Sequence, residues 1–157
     1  MQKITTFLTF NHQAEEAVHF YLSVFTNATL GNVVRSGAQG PGPEGAAMVV
    51  TFQLFGQEFI ALNGGPSFIF SNGISLLVNC ETQEEIDLLW EKLSEGGAQY
   101  PCGWLRDKYG ISWQIVPPAL GQMMQDKDPK RSERVMKAML SMHKIDLQRL
   151  REAYHQG

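Results

Sequence analysis

Few side chains in this sequence could do chemistry, and none forms a dense constellation. His12 follows a β-like run at 3–10 and could act as a ligand or base, but a polar residue opening the next helix accounts for it better. His19 falls off the apolar stripe of that helix and is read as exposed. Cys102, beside Gly103 and Trp104, would be a reactive thiol with a base at hand; no histidine lies near it in sequence, so a buried, inert thiol is the better reading. Cys80 alternates to the helix side of its strand and reads as core. Glu58, Arg106 and Asp107 read as surface charges of hairpins. A nucleoside cofactor would ordinarily sit on a glycine-rich strand-to-helix turn, yet the first strand runs into Asn11-His12-Gln13.

The elements that must position these residues are organised around the stretch 107–118. Gly110 makes a tight turn, 111–116 a short strand, and Pro117 and Pro118 end it because neither can donate to a ladder. A weaker copy lies at 55–62, and aligning Gly56 with Gly110 puts Phe59 on Trp113 and Ile60 on Gln114. The chain therefore reads as a doubled module.

In the first copy, 3–10 is a strand expected to be covered on both faces. A helix opened by Asn11 or a neighbour buries Ala14, Ala17, Val18, Tyr21 and Phe25. A strand at 29–35, a mobile Gly/Pro-rich loop at 37–45 and a hairpin of 46–54 with 57–63 complete β-α-β-β-β. The second copy repeats it. A strand at 75–80 precedes a helix with Thr82 as cap, Glu85 reaching back, Ile86, Leu89, Trp90 and Leu93 as its stripe, and Gly96-Gly97 as its end. Short strands follow near 99, at 103–106 and at 111–116. Thr6 precedes Phe20 by the interval that separates Ser75 from Leu89, which places Thr6 over Ser75. After Pro118 come a helical turn at 119–125, a break at 126–130, a helix with Val135, Met136, Met139 and Met142 on one face, and a last helix capped by Asp146 with Leu147, Leu150 and Tyr154 inward. Basic residues among the methionines read as a solvated face.

At 157 residues, 43% hydrophobic and 18% charged, the composition is that of a single globular domain. Its modules span about 1–65 and 73–118, with a tail at about 119–157. A net charge of −3 gives no electrostatic footprint for nucleic acid, and no apolar run approaches a membrane span. The N-terminus reads as a strand without signal-peptide features, and two cysteines fit a reducing, cytoplasmic setting.

The runs 10–17, 63–70, 74–80 and 102–114 together resemble the PhnB-like proteins of the glyoxalase/bleomycin-resistance, or vicinal-oxygen-chelate, superfamily. This subfamily often carries a demethylubiquinone methyltransferase-like label. The resemblance is read over the whole chain, tail included. It implies an α+β fold in which two βαβββ modules form a curved mixed sheet around a cup, and a homodimer. Superfamily enzymes hold a divalent metal in the cup, and the matching positions here are Thr6, Ile60, Ser75 and Gln114. A hydrocarbon, two hydroxyls and a neutral amide make a poor donor set, so no metal or other cofactor is expected. The expected ligand pocket comprises Thr6, Phe68, Phe70, Ser75, Trp104 and Gln114, either open to an unidentified, largely uncharged small molecule or filled by those side chains. The competing expectations are a divergent metal-dependent lyase, dioxygenase or thiol transferase using Gln114 and His12, and a purely structural dimer.

Overall fold

The computed structural model describes residues 1–40 and 42–156. The chain divides into two compact units, Met1–Phe70 and Ser71–Gly157. The first contains β1 (Thr6–Phe10), α1 (Ala14–Val24), β2 (Ala28–Arg35), β3 (Ala47–Leu54) and β4 (Gln57–Asn63). The second contains β5 (Ser75–Asn79), α2 (Gln83–Ser94), β6 (Ala98–Gln99), a 3-10 turn at Pro101–Gly103, β7 (Trp104–Arg106) and β8 (Ser112–Val116). It continues with α3 (Pro118–Met124), α4 (Pro129–Leu140) and α5 (Leu147–His155). The expected two βαβββ modules with a helical tail are the observed α+β fold.

The sheet of the first unit runs β1-β4-β3-β2, with β1 and β4 parallel and the other pairs antiparallel. Paired residues share a face, so Phe59, Ala61, Val50 and Phe52 project together with Thr6, Leu8 and Phe10. This is the face that α1 covers: Tyr21 stacks on Phe52 at 6.2 Å, and Phe52 on Phe59 at 5.3 Å. Burying each such side chain contributes about 1.5–3 kcal/mol, which makes this apolar face the main hold on α1. Phe7, Thr9, Ile60 and Leu62 occupy the other face, and Phe7 is 53% exposed, so β1 is not covered on both sides as its composition suggested. The start of α1 is held from a distance. Gln13 stands at the cap without a side-chain bond, and Asn63 Oδ1 accepts from the Ala14 N–H at 2.8 Å while its Nδ2 donates to the Ala47 carbonyl. Of the expected openers, Asn11 or a neighbour, it is Gln13 that stands at the cap, and Asn11 is exposed. Pro41 of the Gly/Pro-rich loop lies outside the described residues.

The second unit repeats the plan in the order β5-β8-β7-β6, again with its first pair parallel. Thr82 accepts from the Glu85 N–H at 3.2 Å, and the Glu85 carboxylate reaches back to the Glu81 N–H, so the capping box forms as expected. Leu105, Trp113 and Ile115 are buried on the side where α2 packs. The tail forms its own small core of Leu120, Met123, Val135, Met142, Ile145 and Leu150, with Val116 packed against it. Asp146 caps α5 by accepting from the Arg149 N–H, as its sequence position predicts. Met136 turns to solvent, so the methionine stripe is only partly buried.

Candidate functional site

Strand register decides which side chains each sheet presents on its helix-free face. In the second unit, Gln114 pairs with Leu77 on one side and Trp104 on the other, giving one row of three across adjacent strands. The next row along the same face is Ser75, Ser112, Arg106 and Ala98. The Gln114 Nε2 donates to Ser75 Oγ at 2.9 Å, which fixes the amide between the two rows. Leu77 is 49% exposed, and Trp104 is half-buried. The arrangement can accept a hydrogen bond at the Gln114 carbonyl, donate one from the Ser75 hydroxyl, and cover an apolar body with Leu77 and Trp104.

The corresponding row of the first unit is Phe7, Ile60 and Thr51. Thr6 does not belong to it. Thr6 pairs with Phe59 on the α1-covered face, whereas the partner of Ile60 is Phe7. The expected placement of Thr6 beside Ile60 on the cup side is therefore corrected. The strand-to-helix connections are equal, three residues at 11–13 and three at 80–82, but the helix-facing residue nearest the helix is Phe10, the last of β1, and Val78, the last but one of β5. Counting back from the helices therefore overlays Thr6 on Ser75 although the two strands present opposite faces there, and a one-residue slip of that kind turns every side chain to the other face.

Phe68 and Phe70 belong to the first unit. Phe70 packs edge-on against the buried Phe10 at 5.0 Å. Phe68 lies over Gly64, where a Cβ would fall 2.9 Å from the ring and 2.5 Å from the Thr9 methyl. Of the six expected pocket residues, the second unit thus brings Ser75, Trp104 and Gln114 together, and the first holds Thr6, Phe68 and Phe70 in three different settings.

The remaining candidates are dispersed. His12 and His19 are exposed, and His19 lies 3.9 Å from Glu15. Cys80 is fully buried, and burial, with a smaller contribution from the Glu85 charge, pushes its thiol up to about 12. Cys102 is half-buried, with its Sγ directed at the Met139 carbonyl. Asp107 is not a surface charge. It is 1% exposed, and its carboxylate accepts from the Tyr109 and Ile111 N–H groups and from the Trp113 indole. An aspartate two residues before the N–H it accepts, next to a turn glycine, is a local signal that could have found it.

A divalent metal does not fit these residues. Ile60 has no donor atom, and Ser75 and Gln114 are neutral and already bonded to each other. Among the described residues no group of three His, Cys, Asp or Glu is placed to hold an ion. A groove of about 760 Å³ opens elsewhere on the second unit, lined by Thr82, Asp87, Lys144 and Asp146 among others. Lys144 and Asp87 already pair there at 2.8 Å, and the side chains of Gln83 and Asp146 are spent on bonds within the fold. No helix among the described residues is long and apolar enough to cross a membrane.

The family model for 3-demethylubiquinone-9 3-methyltransferase matches residues 2–116. The match spans both βαβββ modules and ends before the tail. A comparison with curated proteins gives no match. Among solved structures, the chain is similar to a PhnB protein from Bacillus cereus described as a 3-demethylubiquinone-9 3-methyltransferase. The two share 44% identity over 73% of this chain and 99% of that one, with a TM-score of 0.67. Protein PA1353 from Pseudomonas aeruginosa shares the fold at 21% identity, over 74% of this chain and 98% of that one, with a TM-score of 0.62. On the 44% identity and the match across both βαβββ modules, the chain belongs to the PhnB-like, 3-demethylubiquinone-9 3-methyltransferase family of the glyoxalase/bleomycin-resistance superfamily.

Proposed function

We propose that this protein binds a small organic molecule on the helix-free face of its second sheet, without a bound metal. The observation that carries this reading is the Gln114–Ser75 bond at 2.9 Å between Leu77 and Trp104. A few fixed polar groups set among apolar walls are the usual make-up of a small-molecule site. The methyl-transfer chemistry in the family's description finds no support in the first strand-to-helix turn. That turn is Asn11-His12-Gln13, and the first N–H of α1 is already taken by Asn63. A cytoplasmic homodimer belongs to the same reading, on the superfamily's habit and on two unpaired cysteines.

A thermal-shift screen against a metabolite panel tests it, comparing the wild type with Gln114→Leu. The reading expects compounds that raise the wild-type Tm and lose that effect in the variant. Compounds that stabilise both proteins equally, or a panel that stabilises neither, count against it.

A further inference from the structure

The row beside Gln114 carries more polar capacity than the fold uses. Ser112 is only 5% exposed, yet among the described residues no group bonds its hydroxyl and no side-chain polar atom is wholly buried without a partner. The hydroxyl's remaining access is therefore to the open face that Ser112 shares with Ser75 and Arg106. Arg106 pairs directly with Ser112 in the ladder, and no acid lies within ion-pair distance of its guanidinium among the described residues. The neighbouring carboxylate, Asp107, does not neutralise it. That group is turned to the other side of the strand, where it holds the Trp113 indole. Ala98, on the far side of Arg106, adds no charge.

From this we infer that Arg106, Ser112 and Ser75 form a subsite for the oxyanion head of an organic acid, whose uncharged body lies along Trp104, Gln114 and Leu77. The inference rests on the binding reading above and narrows its ligand from a largely uncharged molecule to one with an oxyanion head and an apolar or aromatic body. Arginine's planar fork matches a carboxylate with two parallel bonds, and serine hydroxyls complete the donor set. The two rows lie one two-residue step apart, about 6.6 Å along the strands, which suits a six-membered ring bearing a carboxylate.

The test is an NMR titration of the ¹⁵N-labelled full chain with benzoate, its uncharged counterpart benzamide, and phenyl phosphate as a second oxyanion. The Gln114 side-chain amide and the Trp104 indole are the reporters. Benzoate is expected to shift both resonances, and Arg106→Gln to weaken it by about tenfold while leaving benzamide unchanged. The Arg106 side chain is exposed and makes no bond to another group among the described residues, so the variant keeps its fold, which circular dichroism checks. Tighter binding of phenyl phosphate with the same Arg106 dependence supports the oxyanion subsite and identifies phosphate as its preferred head. Equal binding of benzoate and benzamide in both proteins overturns the subsite and leaves the binding face standing. Silence at both reporters with all three probes overturns the subsite and the binding reading together.

Discussion

The Asp107 carboxylate accepts a 2.8 Å hydrogen bond from the Trp113 indole Nε1 across the β7–β8 turn, and this bond marks where the two copies of the module differ. In the first copy the corresponding ladder residues are Leu54 and Phe59. Phe59 packs on Phe52 and has no N–H to satisfy, so the buried, apolar Leu54 suffices there. A buried tryptophan requires an acceptor, and a buried carboxylate requires donors. Asp107 and Trp113 meet both needs, with the Tyr109 and Ile111 N–H groups completing the set.

Replacing Asp107 with Ala leaves those donors unmet and should cost about 3 kcal/mol of stability. Asp107→Asn, which keeps an acceptor, should cost less. Urea unfolding at equal m-value measures both; an Ala variant within about 0.5 kcal/mol of wild type would show that the contact is incidental.

The two thiols should separate cleanly by reactivity. Cys80 is buried with its ionisation pushed up to about 12, which suppresses the thiolate at pH 8. Maleimide labelling of the native protein should therefore modify Cys102 alone, with Cys80 following only after denaturation. Mass spectrometry of the labelled peptides reads this directly, and prompt native labelling of Cys80 contradicts it.

Acid should weaken the fold through surface pairs. A hydrogen bond from Arg35 holds the Glu15 carboxyl below its usual range, one from Lys144 does the same for Asp87, and one from Tyr154 for Asp126. A carboxyl depressed in the folded state contributes stability above its unfolded pKa, near 4, and loses it as pH falls through the folded value. Melting temperature should fall as pH drops below about 4, with part of the contribution screened by salt because these groups are exposed. A Tm unchanged from pH 5 to pH 3 would exclude these pairs as contributors.

The tail should steady the aromatic wall of the site. Cys102 and Gly103 both have left-handed backbone, at φ 66° and 81°, just before Trp104, and their N–H groups donate to the Met142 and His143 carbonyls. A Cβ at Gly103 would fall 2.9 Å from the Ile115 carbonyl oxygen and 3.0 Å from Ile145. Gly103→Ala should cost about 1–3 kcal/mol and make Trp104 fluorescence more accessible to acrylamide. An unchanged quenching constant would detach the tail from the site.

Much of this was legible in the residues. Gly56 and Gly110, both at positive φ, mark the paired turns, and Phe59 and Trp113 fall on the helix sides as their alignment requires. Thr82 and Asp146 announce their helices through cap chemistry that is local and strong. Thr6 is misplaced because helix spacing carries no record of strand face: the two connections are equal in length, yet β1 and β5 present opposite faces at the matched positions Thr6 and Ser75. Asn63 as the cap of α1 could not be read, since it acts across 49 positions. Ser112 and Arg106 looked ordinary until register put them beside Ser75.

Equilibrium dialysis against zinc, nickel, manganese and iron tests the central claim most directly, because Gln114 and Ser75 cannot serve an ion and an organic ligand in the same way. The account predicts no stoichiometric uptake by the wild type and no difference from Gln114→Ala. One tightly held ion per chain, lost in Gln114→Ala, would contradict it.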